Sequence, residues 1–192
     1  MNPPKLNLAQ TALVLIDLQK GIVNLPLAPR TGTDMLANAI RLTDKFRAAG
    51  ALVVIVHVGF SSDGEDAVKV ETDAAPIRGP YPPEFFELIP ELGLRPNDIV
   101  ILKRQWGAFT GTELDLQLRR RGIRTIVLGG VATNMGVEST ARAANELGYA
   151  QVFVEDAMTS MSEEMHLFSV RHILPRLGLV RSTDEVLAAC AS

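Results

Sequence analysis

The sequence predicts an α/β protein: a three-layer α/β/α sandwich around a central, mostly parallel sheet of six strands, Rossmann-like in plan. Three observations predict it. Six apolar runs of strand length are near-continuous rather than alternating, as strands buried on both faces are. Helical patterns lie between them, and three of these end at a glycine (Gly50, Gly122, Gly148), the residue best suited to a left-handed helix end. Strand–helix alternation of this kind closes into a parallel sheet covered on both sides.

The strand runs are "TALVLID" (11–17), "ALVVIVHV" (51–58), "DIVILK" (98–103), "RTIVLGG" (124–130), "AQVFVED" (150–156) and the shorter "GLVRS" (178–182). The helical patterns are "DMLANAIRLTDKFRAAG" (34–50), which sets Met35, Ile40, Leu42 and Phe46 among polar residues, "TELDLQLRRRG" (112–122) and "MGVESTARAANELG" (135–148). A fourth, "SEEMHLFSVRHILPRLG" (162–178), holds His166 and His172 as surface or packing residues.

Residues 61–97 break the rhythm. "RGPYPPEFFELIPELGLRPND" carries five of the eleven prolines, too irregular for a crossover helix. It reads as a long excursion over the surface, of the kind that often closes a ligand site. With no repeat, low-complexity tract or linker, residues 1–192 read as one domain.

Composition excludes several classes of function. Net charge is −3, and the longest basic run is "LRRRG" at 118–122, which argues against a nucleic-acid or anionic-membrane surface. No apolar run approaches the roughly 18–20 residues of a membrane span. The start, "MNPPKLNLAQ", has no basic segment followed by an apolar one, so no secretory leader is expected. The single cysteine, Cys190, has no intrachain partner, and a cytoplasmic setting is expected.

In an open parallel sheet, ligands bind outside the carboxyl ends of the strands. The polar residues ending the apolar runs are therefore the candidates: Asp17 after the first run, His57 near the end of the second, Lys103 after the third, and Val131, Ala132, Thr133 and Asn134 after the fourth. A carboxylate following "ALVLI" sits at a desolvated edge, which raises its pKa, while a nearby ammonium lowers it. Opposed pushes on an acid and a base are the pattern of proton-transfer sites. The alternative is that Asp17 caps the next turn and Lys103 is solvated.

"GGVATNMGVEST" has small residues where backbone passes close to something. A helix starting near Met135 would aim free N–H groups at the sheet edge, a ready oxyanion site, with Thr133 or Asn134 as N-cap. Alternatively, the glycines only permit tight strand–helix packing. Trp106 and Phe109, in "KRQWGAFTGT", are candidate pocket walls beside Lys103, with core packing the alternative. His57 has no second ligand at metal spacing. G-x-G-x-x-G, P-loop and G-x-S-x-G motifs are absent.

"ALVLIDLQKG", "ILKRQWGAFTGTELDLQLRRRGIRTIVLGGVATNMGVESTARAANELG" and "VEDAMTS" together resemble the isochorismatase-like, or cysteine-hydrolase, superfamily over about residues 10–182. Most of its members are amidohydrolases with a Cys–Asp–Lys triad. The resemblance implies Asp17 as general acid/base, Lys103 as its partner, a cis peptide at Val131–Ala132, and Val131, Ala132 and Thr133 against the substrate. The nucleophile position falls on Gly136. Nicotinamidases of the superfamily bind a metal after strand two; the lone His57 there implies neither metal nor nicotinamidase activity. True isochorismatases also carry glycine at the nucleophile position and use the Asp as a general acid on a vinyl ether. They differ from this chain in having "GVYAH"-type residues and a glutamine after strand two. The resemblance therefore implies a cysteine-less hydrolase of a small molecule, without cofactor, acting on a vinyl ether or, through water, on an amide or ester. It also implies a dimer or larger homo-oligomer, with 160–177 as contact helix. A catalytically inactive binding protein that kept the pocket is the alternative.

Overall fold

The computed structural model describes residues 6–73 and 81–190. Residues 1–5 of the segment tested for a secretory leader and residues 74–80 of the excursion lie outside them. Six strands, β1 (Thr11–Ile16), β2 (Leu52–Val58), β3 (Ile99–Lys103), β4 (Thr125–Val131), β5 (Ala150–Thr159) and β6 (Leu179–Arg181), form one sheet in the order β3-β2-β1-β4-β5-β6. Every pairing is parallel, so the sheet is wholly rather than mostly parallel. The order reverses between β1 and β4, which makes the carboxyl ends of these two strands the switch point where ligands bind in such sheets.

β1 is buried along its whole length, as a continuous apolar central strand must be. On one face, Ala12, Val14 and Ile16 join Val54, Val56, Ile126 and Leu128 beneath α3 (Leu114–Arg120) and α4 (Glu138–Glu146). On the other, Leu13, Leu15, Val53, Ile55 and Val127 pack against α2 (Gly32–Ala48) through Met35, Ala39, Leu42 and Phe46. α2 starts at Thr31, whose hydroxyl accepts from the Asp34 amide. Burying each such Leu, Ile or Phe contributes roughly 1.5–3 kcal/mol, so both layers are held by their apolar stripes.

Two helices are additional to the sequence expectations. α1 (Lys20–Val23) is a single turn after β1. α6 (Thr183–Ala189) begins with a capping box, the Ser182 hydroxyl meeting the Glu185 amide and the Glu185 carboxylate the Ser182 amide. The S-x-x-E spacing was its available signal. The expected helix at 162–178 is shorter: α5 (Glu163–Phe168) passes into a π-turn at Ser169–Ile173 and a 3-10 turn at Leu174–Arg176, where Pro175 lacks a donor.

The helical elements of the excursion, among its described residues, are two 3-10 turns, Pro83–Phe86 and Pro90–Leu92. It docks on the chain leaving β1. The Lys20 amide donates to Glu87 O at 2.9 Å and the Ile89 amide to Leu18 O at 3.0 Å. The Phe85 ring lies where a Cβ on Gly21 would stand, 2.0 Å from its Cδ2, so this docking requires glycine at 21. No helix among the described residues is long and apolar enough to cross a membrane.

Candidate active site

β1 ends at Ile16, and the chain turns at Asp17. Its amide still donates to Val56 O at 2.8 Å, and its φ of 54° is the left-handed conformation non-glycine residues seldom adopt. Gly130, at φ 119°, lies against the Ile16 backbone; a Cβ there would come within 2.1 Å of Ile16 O. β1 and β4 therefore meet backbone to backbone at the switch point. The chain then passes through a cis peptide at Val131–Ala132 into a π-helical turn, Thr133–Val137, that continues as α4. The Met135 and Val137 amides both donate to Ala132 O, at 3.0 and 3.2 Å. Neither Thr133 nor Asn134 acts as N-cap; that position is Ala132, without a side-chain cap.

Asp17 and Lys103 come together. Lys103 Nζ donates to Asp17 Oδ2 at 2.7 Å and to Gln105 O at 3.1 Å. Their side chains are only 9% and 2% exposed, which makes this a buried pair rather than a surface one. Burial pushes the Asp17 carboxyl up to about 6, against the opposing pull of the Lys103 ammonium. Asp17 Oδ1 is buried with no hydrogen-bond partner among the described residues.

Gly136 stands beside this pair with no positive φ. A Cβ on it would lie 3.3 Å from Asp17 Oδ2 and 3.5 Å from Trp106 O, so a side chain there would point at the carboxylate. The same Cβ would lie 2.9 Å from Ile16 Cγ2, closer than carbon atoms pack. The Ile16 methyl thus occupies part of the place where a residue-136 side chain would begin.

The remaining candidates divide. Val131, Ala132 and Thr133 are buried in or beside the turn. Trp106 brings its carbonyl to the site while the residue as a whole is 61% exposed. Phe109 belongs to the core rather than to a pocket wall: it packs with Ala108, Leu114 and Val137 and stacks on Tyr149 at 5.8 Å. His57 is half-buried, its pKa held down by burial and by Arg104 and Lys103. Cys190 packs on the α2 side of the sheet, its thiol pushed up by burial. No three His, Cys, Asp or Glu side chains converge as a metal site among the described residues.

Two features escaped sequence reasoning. Gln19 is fully buried; its Nε2 donates to Val58 O at 2.8 Å and Phe86 O at 2.9 Å, and its Oε1 accepts from the Val58 amide at 2.9 Å. One side chain thus ties the end of β2 and the excursion to the segment behind Asp17. His166, read as a surface or packing residue, is fully buried and bonded through both ring nitrogens. A polar residue three places after a strand end carries only a weak signal of the first, and the helical pattern conceals the second.

Comparison with known proteins identifies the family. The isochorismatase domain model matches residues 11–185. The chain is 49% identical to the isochorismatase family protein YwoC of Bacillus subtilis, over 97% of each chain. It is 30% identical to the ureidoacrylate amidohydrolase RutB of Variovorax paradoxus, over 98% of this chain and 84% of that one. The structure of an isochorismatase family protein from Burkholderia thailandensis, 48% identical, superposes over 100% of both chains with a TM-score of 0.95. With an Asp–Lys pair at the switch point and a match along nearly its whole described length, the chain belongs to the isochorismatase family of hydrolases.

Proposed function

We propose that this protein hydrolyses a small molecule without a covalent intermediate, with Asp17 as general acid/base and Lys103 as its charge partner. The observation that carries the reading is the buried Asp17–Lys103 contact of 2.7 Å, set against a residue 136 that has no side chain. Ile16 Cγ2 would lie 2.9 Å from the Cβ of a nucleophile at residue 136 and so crowds it, which favours water as the attacking group. A carboxyl pushed up to about 6 exchanges its proton near neutral pH, as a general acid or base must.

On a vinyl ether, protonated Asp17 gives its proton to the enol-ether carbon. Water adds to the resulting oxocarbenium ion as the Asp17 carboxylate takes its proton. The hemiketal then collapses, its C–O bond breaking and the leaving alcohol oxygen receiving the hemiketal hydroxyl proton. On an amide or ester, ionised Asp17 takes a proton from water as the hydroxyl adds to the carbonyl, then returns it to the leaving group. The first turn of the helical run from Thr133 offers amide donors to a developing oxyanion. RutB, whose name gives an amide substrate, supports the second class; glycine at 136 supports the first. The same reading includes self-association through α5.

The test is a screen of purified protein against isochorismate, ureidoacrylate and a panel of simple amides and esters, with Asp17→Asn in parallel. Turnover abolished by that substitution supports the reading. Equal turnover by both proteins overturns it.

A further inference from the structure

Several buried polar groups that the proposed reaction does not use gather behind the 131–137 turn. His166 is 0% exposed. Its Nδ1 lies 2.8 Å from Thr133 Oγ1, and its Nε2 lies 3.2 Å from Glu155 Oε1. Arg30 holds Glu155 from the other side, its Nη2 3.0 Å from each carboxylate oxygen. The His166 hydrogen bond and the Arg30 charge keep the Glu155 carboxyl below its usual range, so it is an ionised, acceptor-only group. The proton facing it therefore sits on Nε2.

Thr133 completes the arrangement. Its Oγ1 also lies 3.1 Å from the Thr159 carbonyl, another pure acceptor. When the ring is neutral, Nδ1 is bare and receives the Thr133 hydroxyl proton. When the ring is charged, Nδ1–H donates to Oγ1 and the hydroxyl turns to Thr159 O. Each state leaves Nδ1 and the Thr133 hydroxyl partnered, and the charged state adds a hydrogen bond to the Thr159 carbonyl. The charged groups around the ring are Glu155 on β5 with Arg30 behind it, and Glu163 and Glu164 at the start of its own helix. Two further bonds lie nearby: Ser160 Oγ to Asn134 Oδ1 within the turn, and Ser169 Oγ to Glu138 Oε2, at the start of α4, at 2.6 Å.

Thr133 is the first residue of the turn that carries Gly136, and Gly136 is the backbone facing Asp17. We propose that His166 is a positioning residue of the active site: acting through Thr133, it fixes the 131–137 turn and so holds the Gly136 backbone against Asp17. The consequence for turnover rests on the reading of Asp17 given above; the geometry does not. The competing account is that His166 only fills space and partners the Glu155–Arg30 pair. The two accounts separate because the two ring nitrogens have different partners.

The test needs no substrate. In the wild-type protein, ¹⁵N spectra of the imidazole should show Nε2 protonated throughout, with Nδ1 bare in the neutral ring; Nδ1–H with a bare Nε2 would overturn the assignment. His166→Asn keeps a polar atom near Nδ1 and loses the Glu155 bond, whereas His166→Gln keeps the Glu155 bond and loses Thr133. Two signals are followed in each: the Gly136 amide resonance and the ¹³C-carboxyl titration of Asp17. His166→Asn should leave both near wild type. His166→Gln should shift or broaden the Gly136 amide and lower the Asp17 midpoint from about 6, as water reaches the carboxylate. Equal effects from the two variants, or an unaltered Gly136 and Asp17 in His166→Gln, would refute the proposal. If either variant does not fold, Thr133→Val and Thr133→Ser replace the pair; the first should behave as predicted for His166→Gln and the second as wild type, and no difference between them counts as refutation. Failure of the hydrolase reading would appear separately, as turnover indifferent to Asp17→Asn.

Discussion

Lys103 Nζ and Asp17 Oδ2 lie 2.7 Å apart, across the strand that separates β3 from β1 and across 86 positions of sequence. Both side chains are almost fully buried. A pair in such surroundings responds strongly to the loss of either member, because the survivor becomes an unpaired buried charge.

Asp17→Asn keeps the shape of the side chain and removes its proton chemistry. On any substrate found by the screen, its turnover should fall by about 10²–10⁴-fold. Circular dichroism and size-exclusion profiles matching wild type would assign the loss to chemistry rather than folding.

The pH–rate profile tells acid from base. Protonated Asp17 is lost as pH rises through about 6, so a vinyl-ether reaction that needs the acid should slow above that point. An amide or ester reaction that needs the carboxylate should slow below it. A profile flat from pH 5 to 8 in kcat/KM would remove Asp17 from the chemistry.

Lys103→Met removes the ammonium that holds the Asp17 pKa down, so the Asp17 midpoint should rise above about 6. A carboxyl whose folded pKa exceeds its unfolded value of 3.8 loses stability as pH rises from that value through the folded one. In the variant this window extends upward. Urea denaturation should show a deficit against wild type that grows between pH 5 and pH 8, reaching about 3–5 kcal/mol. A deficit independent of pH would show that the pair is not a charge pair.

Gly136→Cys tests how far the pocket has moved from a thiol enzyme. The backbone permits a side chain, but Ile16 Cγ2, 2.9 Å from the new Cβ, would have to shift. Overpacking of this kind costs about 1–3 kcal/mol. Adding Ile16→Ala should relieve part of it, giving a favourable coupling between two substitutions that each destabilise alone. The new thiol, beside Asp17, should react with iodoacetamide faster than Cys190, whose thiol burial pushes up. A thiol at 136 no more reactive than Cys190 would show that the site does not have cysteine-hydrolase geometry.

α5 leaves Met165 and Phe168 exposed, at 45% and 59%. Sedimentation velocity at micromolar concentration should show a dimer or larger species, weakened by Phe168→Glu. A wild-type monomer under those conditions would reject self-association through α5.

The candidate site was legible where the chemistry coincides with strand ends. Asp17, Lys103 and the turn around Gly136 each follow an apolar run, and parallel strands place such residues at one edge of the sheet. What depends on contact was not legible. Phe109 and Trp106 sit three residues apart in one loop, yet one ring is in the core and the other in solvent. His166 occupies an amphipathic pattern consistent with a surface position, but α5 turns it inward to Thr133 and Glu155.

By itself the sequence determined the strand runs, their burial on both faces, most of the intervening helices and the residue types at the strand ends. These follow from local periodicity and from the chain's need to bury its apolar runs. Only the tertiary structure decided that Asp17 and Lys103 form a buried pair, that Ile16 crowds the position of a side chain on Gly136, that Gln19 joins the end of β2 to the excursion, and that His166 is buried between Thr133 and Glu155. Those outcomes depend on strand order, on a left-handed turn at Asp17 and on the path of the chain after β4. They are distances between residues remote in sequence, set to a few tenths of an ångström by close packing.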